Sequence, residues 1–363
     1  MKVNLLLLKK LDSTIGPVAV NLTKQLAPLR QHRADNFSSI LLIRPGGIGD
    51  AILLIPSIKA IKKKYPDTQI DVLAEKRNCG VFSLCPEIRD VYLYDRPKEL
   101  WTAVRNDYDV AIDTEQWHRM SAVVARLTRA PISIGYATND RKKMFTHQVA
   151  YSLDDYEAES FLHLIEPLTG KVDFASDRPF LSVPQELTDK ARSCLRQLSG
   201  RKIVAIFPGG SISEKRWGSE KFHQVALMLV KDSYRIVVVG GKEDVADGAV
   251  ISEGIPGTIN LCGRLSLSET AAVIKEAELL ITGDSGIMHI GHGLGVRTLA
   301  LFGPGIERKW APRGRNCSVI NKHLDCSPCT KFGYTPQCRK NAECMTLITV
   351  EEVYGKSIEL LKR

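Results

Sequence analysis

The sequence predicts an α/β protein built from two doubly wound, Rossmann-like domains that face a cleft. Three observations carry that prediction. Short apolar, β-branched runs alternate with amphipathic stretches, the alternation lapses once near the middle, and glycine-rich turns follow several of the runs. The length of 363 residues suits two domains of roughly 150 residues each.

In the first half ILLI, IDVLA, VYLY, DVAID and ISIGY read as strands, with AILLIPSIKAIKKKY and SAVVARLTR at helical spacing between them. In the second half IVAIF, YRIVVVG, LLITGD and TLALFG read as strands, separated by KFHQVALMLVKD, LSETAAVIKEAE and GIMHIGHGLG. Strands this apolar are buried on both faces, as in a parallel sheet covered by helices. Alternating strand and helix then gives a doubly wound domain, here twice. Periodicity lapses in FASDRPFLSVPQ, so the joint is expected between Lys171 and Gly200. The expected domains are residues 39–175 and 176–345, with a last helix in 346–363 that packs back across a domain. Ligands of such sheets lie beyond the carboxyl ends of the strands, so a cleft between the halves is the expected site.

Residues 1–38 read as a basic amphipathic leader. The apolar run from Leu5 to Leu8 is cut by Lys9 and Lys10, too soon to span a bilayer, and no signal-peptide cleavage site follows. Its apolar residues, mixed with Lys2, Lys9, Lys10, Lys24, Arg30 and Arg33, suit either an anionic membrane surface or a packed leader. Gly16–Pro17 is expected to break any single long helix there. The net charge of +9 points to anionic partners such as nucleotide phosphates or acidic lipid. No nucleic-acid-binding signature accompanies it, which argues against nucleic acid. Nine cysteines, an odd number without an export signal, indicate the reducing cytoplasm.

Three glycine turns carry the chemistry. The first, RPGGIGD, fails the dinucleotide fingerprint because Ile52 stands where glycine or alanine is needed, and no P-loop Lys-Ser/Thr follows. What remains is a tight strand-to-helix turn of Gly46, Gly47 and Gly49 with Asp50 in the first helical turn. Spacing alone leaves Asp50 either a helix cap or a proton acceptor. In the second turn Gly209 and Gly210 precede Ser211, Ser213, Lys215 and Arg216, a set of amides, hydroxyls and cations that suits a pyrophosphate. The third, Gly283-Asp284-Ser285-Gly286, opens a helix with His289 one turn in. Its N-terminus favours an anion, while Asp284 suits a ribose hydroxyl or a backbone amide. His289 and His292 read as packed histidines, since no third metal ligand is apparent nearby. The phosphate-friendly turns thus fall in one half and the acid in the other. That division suits a transferase whose second domain holds a nucleotide donor while Asp50 takes a proton from the acceptor.

Taken together and in order, RPGGIGDAILLIPSIKAIKKKYP, FPGGSISEKRWGSEKFHQVA, VVVGGKEDVADG and GDSGIMHIGHGLGVRTLALFGPG resemble the ADP-heptose:lipopolysaccharide heptosyltransferases, from about Ser39 to the last helix. The resemblance implies a GT-B fold and inverting transfer of heptose from ADP-heptose to a lipopolysaccharide core or related glycan. The expected location is the cytoplasm, peripheral on the inner face of the inner membrane. In the terms of the resemblance Asp50 is the general base, Lys215 and Ser211 touch the diphosphate, Glu243 or Asp244 faces the ribose, and Asp284, Ser285, Gly286 and His289 line the ADP site. Where the family has a hydroxyl pair in the second turn this chain has Gly210-Ser211, so one phosphate contact falls to backbone. Acceptor-side candidates are Gly46, Gly47, Gly49, Asp113, Gln116 and Arg119. Arg141, Lys142 and Lys143 read as a solvated charge run. No cofactor is required, because Lys215, Arg216 and helix amides stand in for a divalent metal. Two rivals stay open: transfer of another nucleotide-activated sugar to a different glycan, and a non-catalytic nucleotide-binding module at the membrane. Cys326, Cys329, Cys338 and Cys344 crowd the tail as C-x2-C followed by two more thiols. That spacing leaves open a structural zinc or iron–sulfur site and plain thiols alike.

Overall fold

The computed structural model describes residues 5–26, 36–198, 200–331 and 334–363. Of the leader's basic residues, Lys2, Arg30 and Arg33 lie outside them, as do the side chains of Lys9 and Lys10. The chain divides into two compact units, residues 1–174 and 175–363.

The first unit holds β1 (Ser39–Arg44), β2 (Gln69–Ala74), β3 (Asp90–Leu93), β4 (Val110–Asp113), β5 (Ile132–Tyr136) and β6 (His147–Val149). They form a six-stranded sheet in the order β3-β2-β1-β4-β5-β6. Every pairing is parallel, and Ile40 of β1 lies opposite both Ile70 and Val110. The second unit repeats this plan with β7 (Ile203–Phe207), β8 (Arg235–Val238), β9 (Thr258–Asn260), β10 (Leu279–Gly283), β11 (Arg297–Phe302) and β12 (Cys317–Asn321). Its order, β12-β11-β10-β7-β8-β9, is the same sequence of strands read from the other edge. In each sheet the order reverses beside the first strand, between β1 and β4 and between β7 and β10. That switch point opens a crevice at the carboxyl ends of the strands.

The cores follow from the apolar runs. Leu41, Ile43, Leu73, Ala111, Val123 and Met144 pack together in the first unit. Val204, Ile206, Ile236, Ile281 and Leu299 do so in the second. The final helix, Val350–Lys362, joins that second core through Val353, Leu360 and Leu361. Its start is fixed by a capping box in which Thr349 Oγ1 accepts from the Glu352 amide and the Glu352 carboxylate accepts from the Thr349 amide.

The leader differs from expectation. Leu5–Thr23 is one helix that runs through Gly16 and Pro17. Tertiary packing outweighs the local penalty of proline. Val20 is fully buried in the first core. The Asp12 carboxylate accepts from the amides of Arg119 and Met120, at the start of the helix Arg119–Leu127. Gly16 is needed because a Cβ there would stand 2.7 Å from the Arg119 side chain. The segment is therefore a part of the folded unit.

Candidate active site

At the end of β1 the chain must turn sharply into a helix. Gly46 supplies the turn with φ +109°, a conformation that side chains rarely adopt. Gly47 then caps the short helix Ile48–Leu53, which places Gly49 and Asp50 in its first turn, both half-buried. Asp50 stands three residues after the cap, where a carboxylate also complements the helix N-terminus. Beneath this turn lies Arg44, a residue the sequence reading passed over. It is 1% exposed, and its guanidinium donates to the carbonyls of Pro45 (2.7 Å) and Thr114 (2.9 Å) and to the Glu115 carboxylate (2.9 Å). Burial alone would lower its pKa, yet the carboxylates of Glu115, Asp50, Glu157 and Asp113 hold it up. In return Arg44, His118 and Arg141 keep Glu115 below the usual range, against the effect of burial. The signal in the sequence was an arginine closing an otherwise apolar buried strand, which must find partners.

The other candidates of this unit lie beside that network. Asp113 is fully enclosed, paired with Arg141 and accepting from Ser121 Oγ at 2.9 Å. Gln116 is buried and donates to Glu157, whose other oxygen accepts from Tyr151 Oη at 2.9 Å. Arg119 donates to Asp140. Arg141 corrects the sequence reading: it is 0% exposed, while Lys142 and Lys143 are exposed as expected. The compact turn Asp140–Met144 points only the first of the three basic residues inward, where Asp113 requires a counter-ion.

In the second unit the turn after β7 folds over the end of β10. The Lys215 carbonyl approaches so closely that a Cβ on Gly283 would meet it at 2.9 Å. Lys215 Nζ forms an ion pair with Asp284 at 2.6 Å. An ammonium has three donors, so this pair leaves others for a phosphate. Arg216 is turned toward Asp247 (2.9 Å) and Asp244 (3.3 Å). Asp244 itself is buried, and its carboxylate accepts from the Gly241 amide at 2.9 Å. Gly209 has no room for a side chain because a Cβ would stand 2.7 Å from that carboxylate. Of the two acids offered for a ribose, Glu243 is the exposed one. Ser211 is exposed, Gly210 half-buried, and Ser285 occupies the N-cap position of the helix Gly286–Gly293 without a side-chain cap bond, its hydroxyl lying 3.1 Å from Thr282 Oγ1. Amides, a hydroxyl and an ammonium thus converge at this switch point, a constellation that can hold a diphosphate.

His289 and His292 sit on that same helix, both buried. Burial, the charge of His292 and that of Lys215 push the His289 pKa down to about 3. Burial pushes His292 down to about 4, against the pull of Asp177. Both imidazoles are neutral when folded but titrate near 6.5 when unfolded, so their contribution is complete above about pH 6.5 and is lost as pH falls toward 3–4. Denaturant titrations should show the second unit weaker at pH 5 than at pH 7 by on the order of 4 kcal/mol from this pair. A His289→Gln/His292→Gln double variant that keeps the full pH dependence would sink this account.

The four tail cysteines line one cavity near the end of β11. Burial raises the thiols of Cys329 and Cys344, and the nearby sulfurs of the set add to it. Among the described residues, no group of three or more His, Cys, Asp or Glu is placed to hold a metal ion.

Two parallel sheets of the same Rossmann order, each with a glycine turn at its switch point, define a two-domain α/β enzyme of the GT-B glycosyltransferase class. The glycosyltransferase family 9 (heptosyltransferase) profile matches residues 98–338. The chain is 30% identical to lipopolysaccharide heptosyltransferase 3 of Escherichia coli K12 over 86% of its own length and 95% of that protein's. It belongs to glycosyltransferase family 9, the heptosyltransferases. In fold it matches the E. coli ADP-heptose lipopolysaccharide heptosyltransferase II, with TM-score 0.72 and 22% identity over 89% of this chain and 98% of that one. It also matches the iron-containing dodecameric glycosyltransferase TibC of enterotoxigenic E. coli, with TM-score 0.60 and 13% identity over 91% of this chain and 78% of that one.

Proposed function

We propose that the protein is an inverting heptosyltransferase that moves heptose from ADP-heptose to a sugar hydroxyl of a lipopolysaccharide core or related glycan. The observation that carries this reading is Asp50, half-buried at a switch point and electrostatically coupled to the enclosed Arg44. As the acceptor oxygen attacks the anomeric carbon and the bond to the diphosphate breaks, Asp50 takes the hydroxyl proton. Gly46, Gly47 and Gly49 let the acceptor approach the backbone, and the carboxylates of Asp113 and Glu157 help to hold the charge of Arg44 beneath the turn. In the second unit Lys215, Ser211 and the amides at Gly209, Gly210 and Gly286 stabilise the leaving ADP. Glu243 meets the ribose. This set carries the developing charge without a divalent metal.

The test is incubation with ADP-heptose and core acceptors of increasing length, followed by mass spectrometry for one added heptose. Transfer from a different nucleotide-sugar, with none from ADP-heptose, would favour the rival donor. Lys215→Ala should weaken ADP roughly 10- to 150-fold while leaving adenosine nearly unchanged, since a charge-assisted hydrogen bond is worth about 1.5–3 kcal/mol. Equal losses for both ligands in calorimetry would remove Lys215 from the phosphate site.

The acceptor's lipid suggests a peripheral location on the cytoplasmic side of an anionic membrane. Among the described residues no helix is long and apolar enough to cross one. The first helix instead presents Ile15, Val18 and Leu22, each more than half exposed and spaced along one face, with Lys24 exposed at its end. Val18→Glu/Leu22→Glu should reduce co-sedimentation with anionic vesicles and spare transfer to a delipidated acceptor. Unchanged co-sedimentation would refute the membrane reading.

A further inference from the structure

The proposed chemistry uses Asp50 but gives no task to the enclosed cation beneath its turn. Arg44 ends β1 directly before the glycines, and its Nε donates to the Pro45 carbonyl at 2.7 Å. That bond holds the first peptide of the turn. Nη1 reaches the Thr114 carbonyl and Nη2 the Glu115 carboxylate, both at 2.9 Å, so the guanidinium has a fixed orientation. A Cβ on Gly46 would stand 3.1 Å from Arg44 Nη2, and one on Gly47 would stand 3.6 Å from Asp50 Oδ2. Cation and carboxylate therefore flank adjacent glycines of a single turn.

Other titratable groups reach this turn from several elements. Arg77, after β2, brings Nη2 within 3.9 Å of the same Gly46 position, but it is exposed and Glu75 pairs with it at 2.6 Å. Solvent and salt screen a charge so placed and reach an enclosed one far less. Glu115, after β4, offsets part of the Arg44 charge, and His118 and Arg141 act on Glu115 in turn. Asp113 acts on Arg44 from β4, and Glu157 does so from the start of the helix Glu157–Thr169. Burial, helped by Glu157, pushes the phenols of Tyr136 and Tyr151 upward, so both stay neutral. A guanidinium keeps its proton throughout the working range.

We propose that Arg44 is the positioning residue of Asp50: it fixes the turn through the Pro45 carbonyl, and its enclosed charge keeps the Asp50 carboxylate ionised and ready for a proton. Glu115 sets how much of that charge Asp50 experiences. This role for Arg44 rests on the reading of Asp50 as the base.

The test follows Asp50 in two ways. Its own titration is read in the full chain by carbon-13 NMR of aspartate carboxyls, the Asp50 resonance being the one lost in Asp50→Asn. The acid limb of kcat/KM, for transfer from ADP-heptose to a core acceptor, gives the second reading. Arg44→Met should move both to higher pH, because a nearby positive charge favours the ionised carboxylate. Its turnover on the plateau should fall on the order of 10²-fold, the cost of misplacing a reacting group by about 1 Å. Glu115→Gln keeps an oxygen for Arg44 Nη2 but removes a negative charge, so both readings should move to lower pH. Arg44→Lys keeps the charge without the fork; its Asp50 should titrate with that of the unchanged chain while turnover still falls. A merely structural residue gives no such pair of opposite shifts. Asp50 titrating in Arg44→Met as in the unchanged chain would overturn the proposal. Where Arg44→Met fails to fold, Glu115→Gln decides alone, and an Asp50 titration that stays or rises overturns it equally. If the resonance shifts as stated but kcat/KM shows no matching limb, the effect of Arg44 stands and the reading of Asp50 as the base falls.

Discussion

Asp50→Asn is expected to lower turnover roughly 10²- to 10⁴-fold while leaving ADP-sugar affinity near that of the unchanged protein. Asparagine preserves the shape of the side chain and its place in the first turn of Ile48–Leu53. What it loses is the ability to accept a proton. The helix itself should persist, because its cap is Gly47 and its residues Ala51, Ile52 and Leu53 are buried. Donor affinity should hold because the residues proposed for the nucleotide belong to the other unit. Two readouts separate the roles: rate with saturating acceptor, and ADP-sugar binding by calorimetry. Near-normal turnover would reduce Asp50 to an acid that merely complements a helix N-terminus.

Much of this was legible in the sequence, and for a physical reason. Central strands are buried on both faces, so Ile40–Ile43 or Leu279–Ile281 must be continuous apolar runs. The short edge strands His147–Val149 and Thr258–Asn260 escaped notice because they are only partly covered and carry no such run. Cys317–Asn321, also an edge, is half-buried throughout. Glycine turns were equally readable, since Gly46 and Gly209 are demanded by backbone geometry and by close approach. Less readable was anything that depended on a partner distant in sequence. Pro17 reads as a helix breaker until Asp12 and Val20 are seen fixed against Arg119 and the first core. The direction of a buried charge was hidden for the same reason. Arg44 pairs with Glu115, some seventy residues on, and nothing local to either residue announces the other.

Arg141→Met should destabilise the first unit by about 3–5 kcal/mol, whereas Lys142→Met should change stability by no more than about 0.5 kcal/mol. The two residues are neighbours in one basic run, but the first has no exposed surface and the second is open to solvent. The Arg141 guanidinium donates to the carbonyls of His118 (3.1 Å) and Tyr136 (3.2 Å), stacks 5.1 Å over the Phe145 ring and pairs with Asp113. Methionine fills part of the space but leaves the Asp113 carboxylate enclosed without its counter-ion. An uncompensated buried charge is the costly outcome; replacing both partners with apolar groups need not be. Arg141→Met/Asp113→Leu should therefore recover much of the loss. The cost of Arg141→Met alone should also shrink as pH falls, because protonation relieves the stranded carboxylate. Denaturant titrations of the four proteins at neutral and acidic pH check each of these statements. A loss in Arg141→Met no larger than that in Lys142→Met would mean that the pair does not hold the unit together.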